Sequence, residues 1–213
     1  MLKIRSATLY HGEKFNGISH LVGVLLACAG ASLLLIAAIG KGDAFKIVGF
    51  SVYGTMMVSL YLISTIYHSS KGKVKKIFRQ LDYFSIYLAI AGSYTPFTII
   101  VLNGFLGWIL FGTIWTLAFI GIIQEILVGK KTRRYSIFIY ILMGWLAIIA
   151  IKPLLSSHSI GGLLWLVGGG LFYTLGVGFF LLDEKYKHFH GYWHLCVLGG
   201  SISHFICLYN YVV

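Results

Sequence analysis

The sequence predicts an all-α polytopic membrane protein, a seven-transmembrane helix bundle with its amino terminus inside and its carboxyl terminus outside. Three observations predict it. Hydrophobic residues make up 58% of the 213 positions and charged residues 11%, against about 25% charged in a soluble domain; the mean hydropathy is +0.87. The apolar runs continue over about 20 residues, enough for a helix to cross hydrocarbon, rather than alternating over about 10 as barrel strands do. Basic residues cluster between alternate runs, as they do in a chain that crosses a membrane repeatedly. The spans are read as one domain over residues 1–213.

The elements follow in order. The opening segment, "MLKIRSATLYHGEKFNGISH", is polar, so no cleavable signal is expected and the first span, 18–39, directs insertion itself. The second span, 47–68, ends in "STIYHSS". The third, 82–102, opens on "LDYFSIY" and contains Pro96, which predicts a bend. The fourth covers 106–128. The fifth, 136–152, is the shortest; Pro153 limits it and Lys152 can reach the interface. The sixth, 161–182, carries Gly168, Gly169, Gly170, Gly176 and Gly178, which predict close helix contacts. The seventh covers 191–212. Cys28, Cys196 and Cys207 fall inside apolar runs, odd in number and without metal-site spacing. They are expected to be buried small hydrophobes rather than disulfide partners.

A formal net charge of +11 would suggest nucleic acid in a soluble protein, but its distribution excludes that reading. Fourteen of the seventeen basic residues fall on one side of the predicted topology: Lys3, Arg5 and Lys14, the cluster Lys71–Arg79, the cluster Lys130–Arg134, and Lys185 with Lys187. Lys41, Lys46 and Lys152 fall on the other. The bias sets the orientation, and the charge is assigned to anionic lipid headgroups, with membrane lipids as the expected partners.

That topology brings scattered polar residues to one depth. His190 and His194 open the last span at i, i+4 spacing and share a helical face. His68 ends the second span, Asp82 opens the third, and Glu13, Asn16 and His20 form one stripe at the start of the first. Polar groups inside a bilayer are costly and mark function. Three histidines from two or three helices suit Zn²⁺, since three protein ligands plus an open position is a catalytic arrangement. Asp82 has two metal-site roles open to it, oxygen ligand or proton acceptor, and two structural ones, helix N-cap or partner of Arg79. Ser64, four residues before His68, is a candidate hydrogen-bond partner behind the ligands. His11, His158 and His188 are read as interfacial or as satisfied structural groups. His204 lies ten residues beyond His194, about 15 Å further along the helix, too far for the same ion; it is read as a buried hydrogen-bonding residue.

The set "EKFNGISH", "STIYH", "LDYFSIYLAIAGSYTPF" and "HGYWHLCVLGGSISHF" resembles the hemolysin III family of bacterial membrane proteins, part of the wider progestin and adipoQ receptor group that includes the adiponectin receptors. The resemblance covers nearly the whole chain. It implies a multi-pass protein of the bacterial cell membrane with an intramembrane zinc site near the cytoplasmic face. Its metal ligands would be His68, His190 and His194, with Asp82 and Ser64 as catalytic residues beside them. The soluble extension and long outer loop of the eukaryotic receptors have no counterpart, so no protein hormone is expected.

Three functions follow as expectations. The group's likeness to alkaline ceramidases implies a zinc-dependent hydrolase of lipid amide or ester bonds, with the acyl chain in the bundle. A membrane-lipid sensor or receptor-like regulator with structural zinc is the first alternative. A cytolysin is the second, disfavoured because strongly apolar spans describe a resident membrane protein rather than a toxin that inserts later.

Overall fold

The computed structural model describes residues 13–128, 133–157 and 159–213. His11, His158, Lys3, Arg5, Lys130 and Lys131 lie outside the described residues. The described chain is helical, with no strand: α1 Glu13–Lys41, α2 Ala44–Ser69, α3 Gly72–Pro96, α4 Phe105–Val128, α5 Arg133–Trp145, α6 Ile151–Ser157, α7 Ile160–Leu182 and α8 Phe189–Tyr211. A 3₁₀ turn, Leu146–Ala150, joins α5 to α6, so these three pieces form one crossing.

Six of these helical segments are long and apolar enough to cross a membrane: Glu13–Lys41, Ala44–Ser69, Gly72–Val101, Phe105–Val128, Tyr135–Leu155 and Ile160–Leu182. The last helix, α8, has comparable length but is diluted by histidine, serine, glycine and asparagine, and does not reach that apolarity. The protein is a multi-pass membrane protein, and the burial pattern inverts that of a soluble fold. On α1 the inward residues, Leu34 apart, are small or polar, among them Asn16, Ser19, His20, Gly23 and Gly30. Its exposed face is Ile18, Leu25, Ile36 and Ile39, which suits contact with lipid. Cys28 is on this exposed face, contrary to the expectation of burial, while Cys196 and Cys207 are buried; all three thiols are free.

Short connections make sequential helices neighbours. Gly42, at φ +66°, turns the chain between α1 and α2, a left-handed conformation glycine adopts without strain. Asp43 then caps α2 by accepting from the Lys46 amide at 3.1 Å. Helices α1, α2, α3 and α4 pack in sequence, α5 touches α3, α4 and α7, and α8 closes between α7 and α1. The arrangement is a ring around an interior.

Two sequence expectations change here. Helix α3 begins at Gly72, ten residues before the expected start. Asp82 is therefore inside a helix and is not an N-cap. The extension holds because Lys75, expected as a loop charge, is buried and anchored by Glu13 at 2.9 Å and by the Tyr67 carbonyl at 3.2 Å. The glycine run of α7 is also only partly used. Gly169 faces the His204 ring and Gly176 faces Trp193 and Cys196, whereas Gly168, Gly170 and Gly178 meet nothing within 4 Å. At Pro96 the helix continues as a π-helical turn, Phe97–Val101, closed by the Leu102 amide on the Phe97 carbonyl at 2.9 Å. Proline contributes no amide donor, and a π-turn relieves the local mismatch.

Candidate metal centre

The last turn of α2 places His68, and the first two turns of α8 place His190 and His194. All three are buried, at 5%, 5% and 1% exposure, and one nitrogen from each lies within 4.8 Å of the others. Nitrogens sharing a tetrahedral zinc stand about 3.4 Å apart, given bonds of about 2.05 Å. The cluster is thus close to a ligand set, and it could hold a metal ion. Ring centroids are 5.1 Å apart for His68–His190, 4.9 Å for His68–His194 and 4.7 Å for His190–His194.

The outward nitrogens show how the rings are aimed. His190 Nδ1 meets Asp183 Oδ2 at 2.7 Å, His68 Nδ1 meets Glu13 Oε2 at 3.1 Å, and His194 Nδ1 meets the Asn16 carbonyl at 3.1 Å. A carbonyl, like an ionised carboxylate, can only accept, so each Nδ1–H donates and each Nε2 keeps its lone pair. Lys75 Nζ donates to the same Glu13 Oε2 at 2.9 Å, and Ser19 Oγ stands 3.2 Å from His194 Nδ1. The Nε2 of His68 is buried without a hydrogen-bond partner. A buried lone pair left unsatisfied is costly, and a cation at the centre of the cluster would satisfy it. The donor chemistry therefore fits a borderline divalent metal such as zinc.

The sequence singled out the three imidazoles and the stripe Glu13, Asn16, His20, and the structure brings them together. It missed Asp183, which belongs to the charged run "DEKYKHFH". The seven-residue step from Asp183 to His190 across a turn carries no helical periodicity that would have marked it. His20 stacks on His194, with centroids 3.5 Å apart and planes at 13°, and neither of its ring nitrogens has a partner. His188 takes no part in the cluster; it precedes α8 at φ +67° and lies edge-on to Phe15 at 6.3 Å.

Asp82 and Ser64 stand outside the three-histidine cluster but line the same cavity as His20 and His194. Asp82 also shares a smaller pocket with His190, Trp193 and Arg79. Ser64 is buried and lines the cavity together with Asp82; its Oγ closes no hydrogen bond, to His68 or otherwise. The main cavity, about 190 Å³, continues past Leu60, Ile86 and Phe97 to Leu102, Leu110 and Leu154. From Asp82 to Leu102 is twenty residues of helix, about 30 Å. A polar end lined by His20, Ser64, Asp82 and His194 thus opens into a long, mostly apolar chamber.

The profile described as haemolysin-III related matches residues 8–205. The chain is 46% identical over 202 residues to Hemolysin-3 of Bacillus cereus, covering 94% of this chain and 92% of that one. It is 42% identical over 202 residues to a Hemolysin-3 homolog of Bacillus subtilis (strain 168), covering 94% of each. It is 29% identical over 203 residues to the human Monocyte to macrophage differentiation factor, covering 92% of this chain and 83% of the relative. These matches agree with the resemblance carried by the sequence motifs and with the helical membrane architecture, and the chain belongs to the haemolysin-III-related family.

Proposed function

We propose that the protein is a zinc-dependent hydrolase of lipid amide or ester bonds, with its centre near the cytoplasmic face and its amino terminus in the cytoplasm. The observation that carries this reading is a buried three-histidine cluster whose His194 lines one end of a long apolar cavity together with the Asp82 carboxylate. His68, His190 and His194 would hold the metal. Zinc would supply Lewis acidity there, polarising a carbonyl and making water acidic enough to ionise near neutral pH.

The chain's own residues divide the remaining work. Glu13, Asp183 and the Asn16 carbonyl fix the three rings through their Nδ1–H groups. Asp82 takes the proton of the attacking water and returns it to the leaving nitrogen or oxygen as the acyl bond breaks. Ser64 steadies the Asp82 carboxylate. The apolar chamber receives the acyl chain and keeps bulk water from the reacting carbon.

A second reading, a lipid sensor with structural metal, draws support from one feature. Helices α2 and α8 approach through side chains rather than by close backbone packing, so a metal between them would staple the ring. Turnover separates the two. Protein purified with its metal is incubated with ceramides, N-acylethanolamines and monoacylglycerols, and released fatty acid is measured. The hydrolase reading expects release that Asp82→Asn abolishes while zinc is retained. Zinc-loaded protein inert across the panel would overturn it in favour of the sensor.

A further inference from the structure

The cavity carries a second polar station far from the histidine cluster. His204 lies ten residues beyond His194 on α8, about 15 Å along the helix, and lines the same cavity. It is buried, at 9% exposure. Its Nε2 meets the Leu166 carbonyl at 3.2 Å. A carbonyl has no proton to give, so Nε2–H is the donor and, in the neutral ring, Nδ1 is a bare acceptor. That Nδ1 is buried with no partner.

The ring is wedged in place. Its Nε2–Cδ2 edge presses on Gly169, where any Cβ would collide with it, so Nδ1 lies on the edge turned away from α7. Tyr173 and Phe97 meet the ring edge-on at 5.5 and 6.5 Å. The Tyr173 hydroxyl is hydrogen-bonded to Ser201 at 2.9 Å and not to Nδ1. A fixed, buried acceptor in an apolar chamber has a specific complement: a hydroxyl on the molecule that occupies the chamber.

We propose that His204 is a specificity-determining residue that accepts a hydrogen bond from a hydroxyl partway along a bound acyl chain, so that the cavity selects hydroxylated over plain chains. This rests on the reading that an acyl chain occupies the cavity with its carbonyl end at His194 and Asp82.

The experiment measures displacement of a fluorescent fatty acid from the purified, metal-containing protein. The competitors are stearic acid and hydroxystearic acids bearing the hydroxyl near the carboxylate, at mid-chain, or near the methyl end. The mid-chain isomer binds best, about tenfold tighter than stearic acid, the worth of one buried hydrogen bond. His204→Leu erases that preference while stearic acid binds as before. His204→Gln, which can donate to Leu166 and still offer an acceptor, keeps part of it. Equal binding of all isomers to the wild type, as a resident water at Nδ1 would give, overturns the inference and leaves the acyl-chain reading standing. A preference that survives in His204→Leu also overturns it. Failure of every fatty acid to bind removes both.

Discussion

Helices α7 and α8 are packed neighbours of equal length, 23 residues each, yet they are built for opposite surroundings. In α7 only Gly162, Gly169, Gly176 and Phe180 are buried, and Leu164, Leu171 and Leu175 face outward. Twelve residues of α8 are buried, among them His190, His194, Ser201, Ser203 and His204. The helix with less apolar character is the one withdrawn from lipid. α7 meets hydrocarbon with aliphatic side chains and meets α8 with glycines; α8 spends its inward face on imidazoles and hydroxyls that must find partners. Low hydropathy in a crossing helix thus signals burial and chemistry rather than a weak membrane segment.

Breaking the α8 side should cost most. His194→Leu removes a proposed metal ligand and the bond to the Asn16 carbonyl. Loss of a metal that joins helices should lower the unfolding midpoint in detergent by about 10 °C, read by thermal scanning. Asp183→Asn keeps the shape but weakens the acceptor that aims His190. Metal affinity, measured by competition with a chromophoric chelator, should fall about 10–100-fold, as losses behind a ligating histidine do.

The α7 side should respond only where it touches α8. Gly169→Ala puts a methyl against the His204 ring and should cost about 1–3 kcal/mol in denaturant unfolding. Gly168→Ala, one residue away in open space, should cost nothing or stabilise slightly through helix propensity. Equal effects at the two glycines would contradict the packing described. Ser201→Ala should have the smallest effect on the α8 side. It removes the acceptor of the Tyr61 hydroxyl at 2.6 Å and the partner of Tyr173 at 2.9 Å. The expected loss is about 1 kcal/mol, since hydrogen bonds between membrane helices average less than that each.

The contrast between α7 and α8 also explains what was legible in the sequence. Imidazoles are rare in lipid, so His68, His190 and His194 stood out, and i, i+4 spacing put two of them on one face. Orientation by basic residues then brought Asp82 and Glu13 to the same end. Legibility failed where a residue's role depended on a partner distant in sequence. Lys75 counted as a surface charge because nothing local indicates that Glu13, 62 positions earlier, buries it. Asp183 lay in a charged turn that looked solvated. Of the seven glycines in α7, only the register against α8 decides that Gly161, Gly169 and Gly176 make close contact. Cys28 looked like core because an apolar run does not say which face meets lipid.

The central claim is that one divalent ion is held where α2 and α8 meet. Metal analysis of protein purified without chelator, beside His68→Ala purified in the same way, tests it most directly. The account predicts about one zinc per chain in the wild type and close to none in the variant. A folded wild type free of metal, or a variant carrying as much zinc as the wild type, would contradict it.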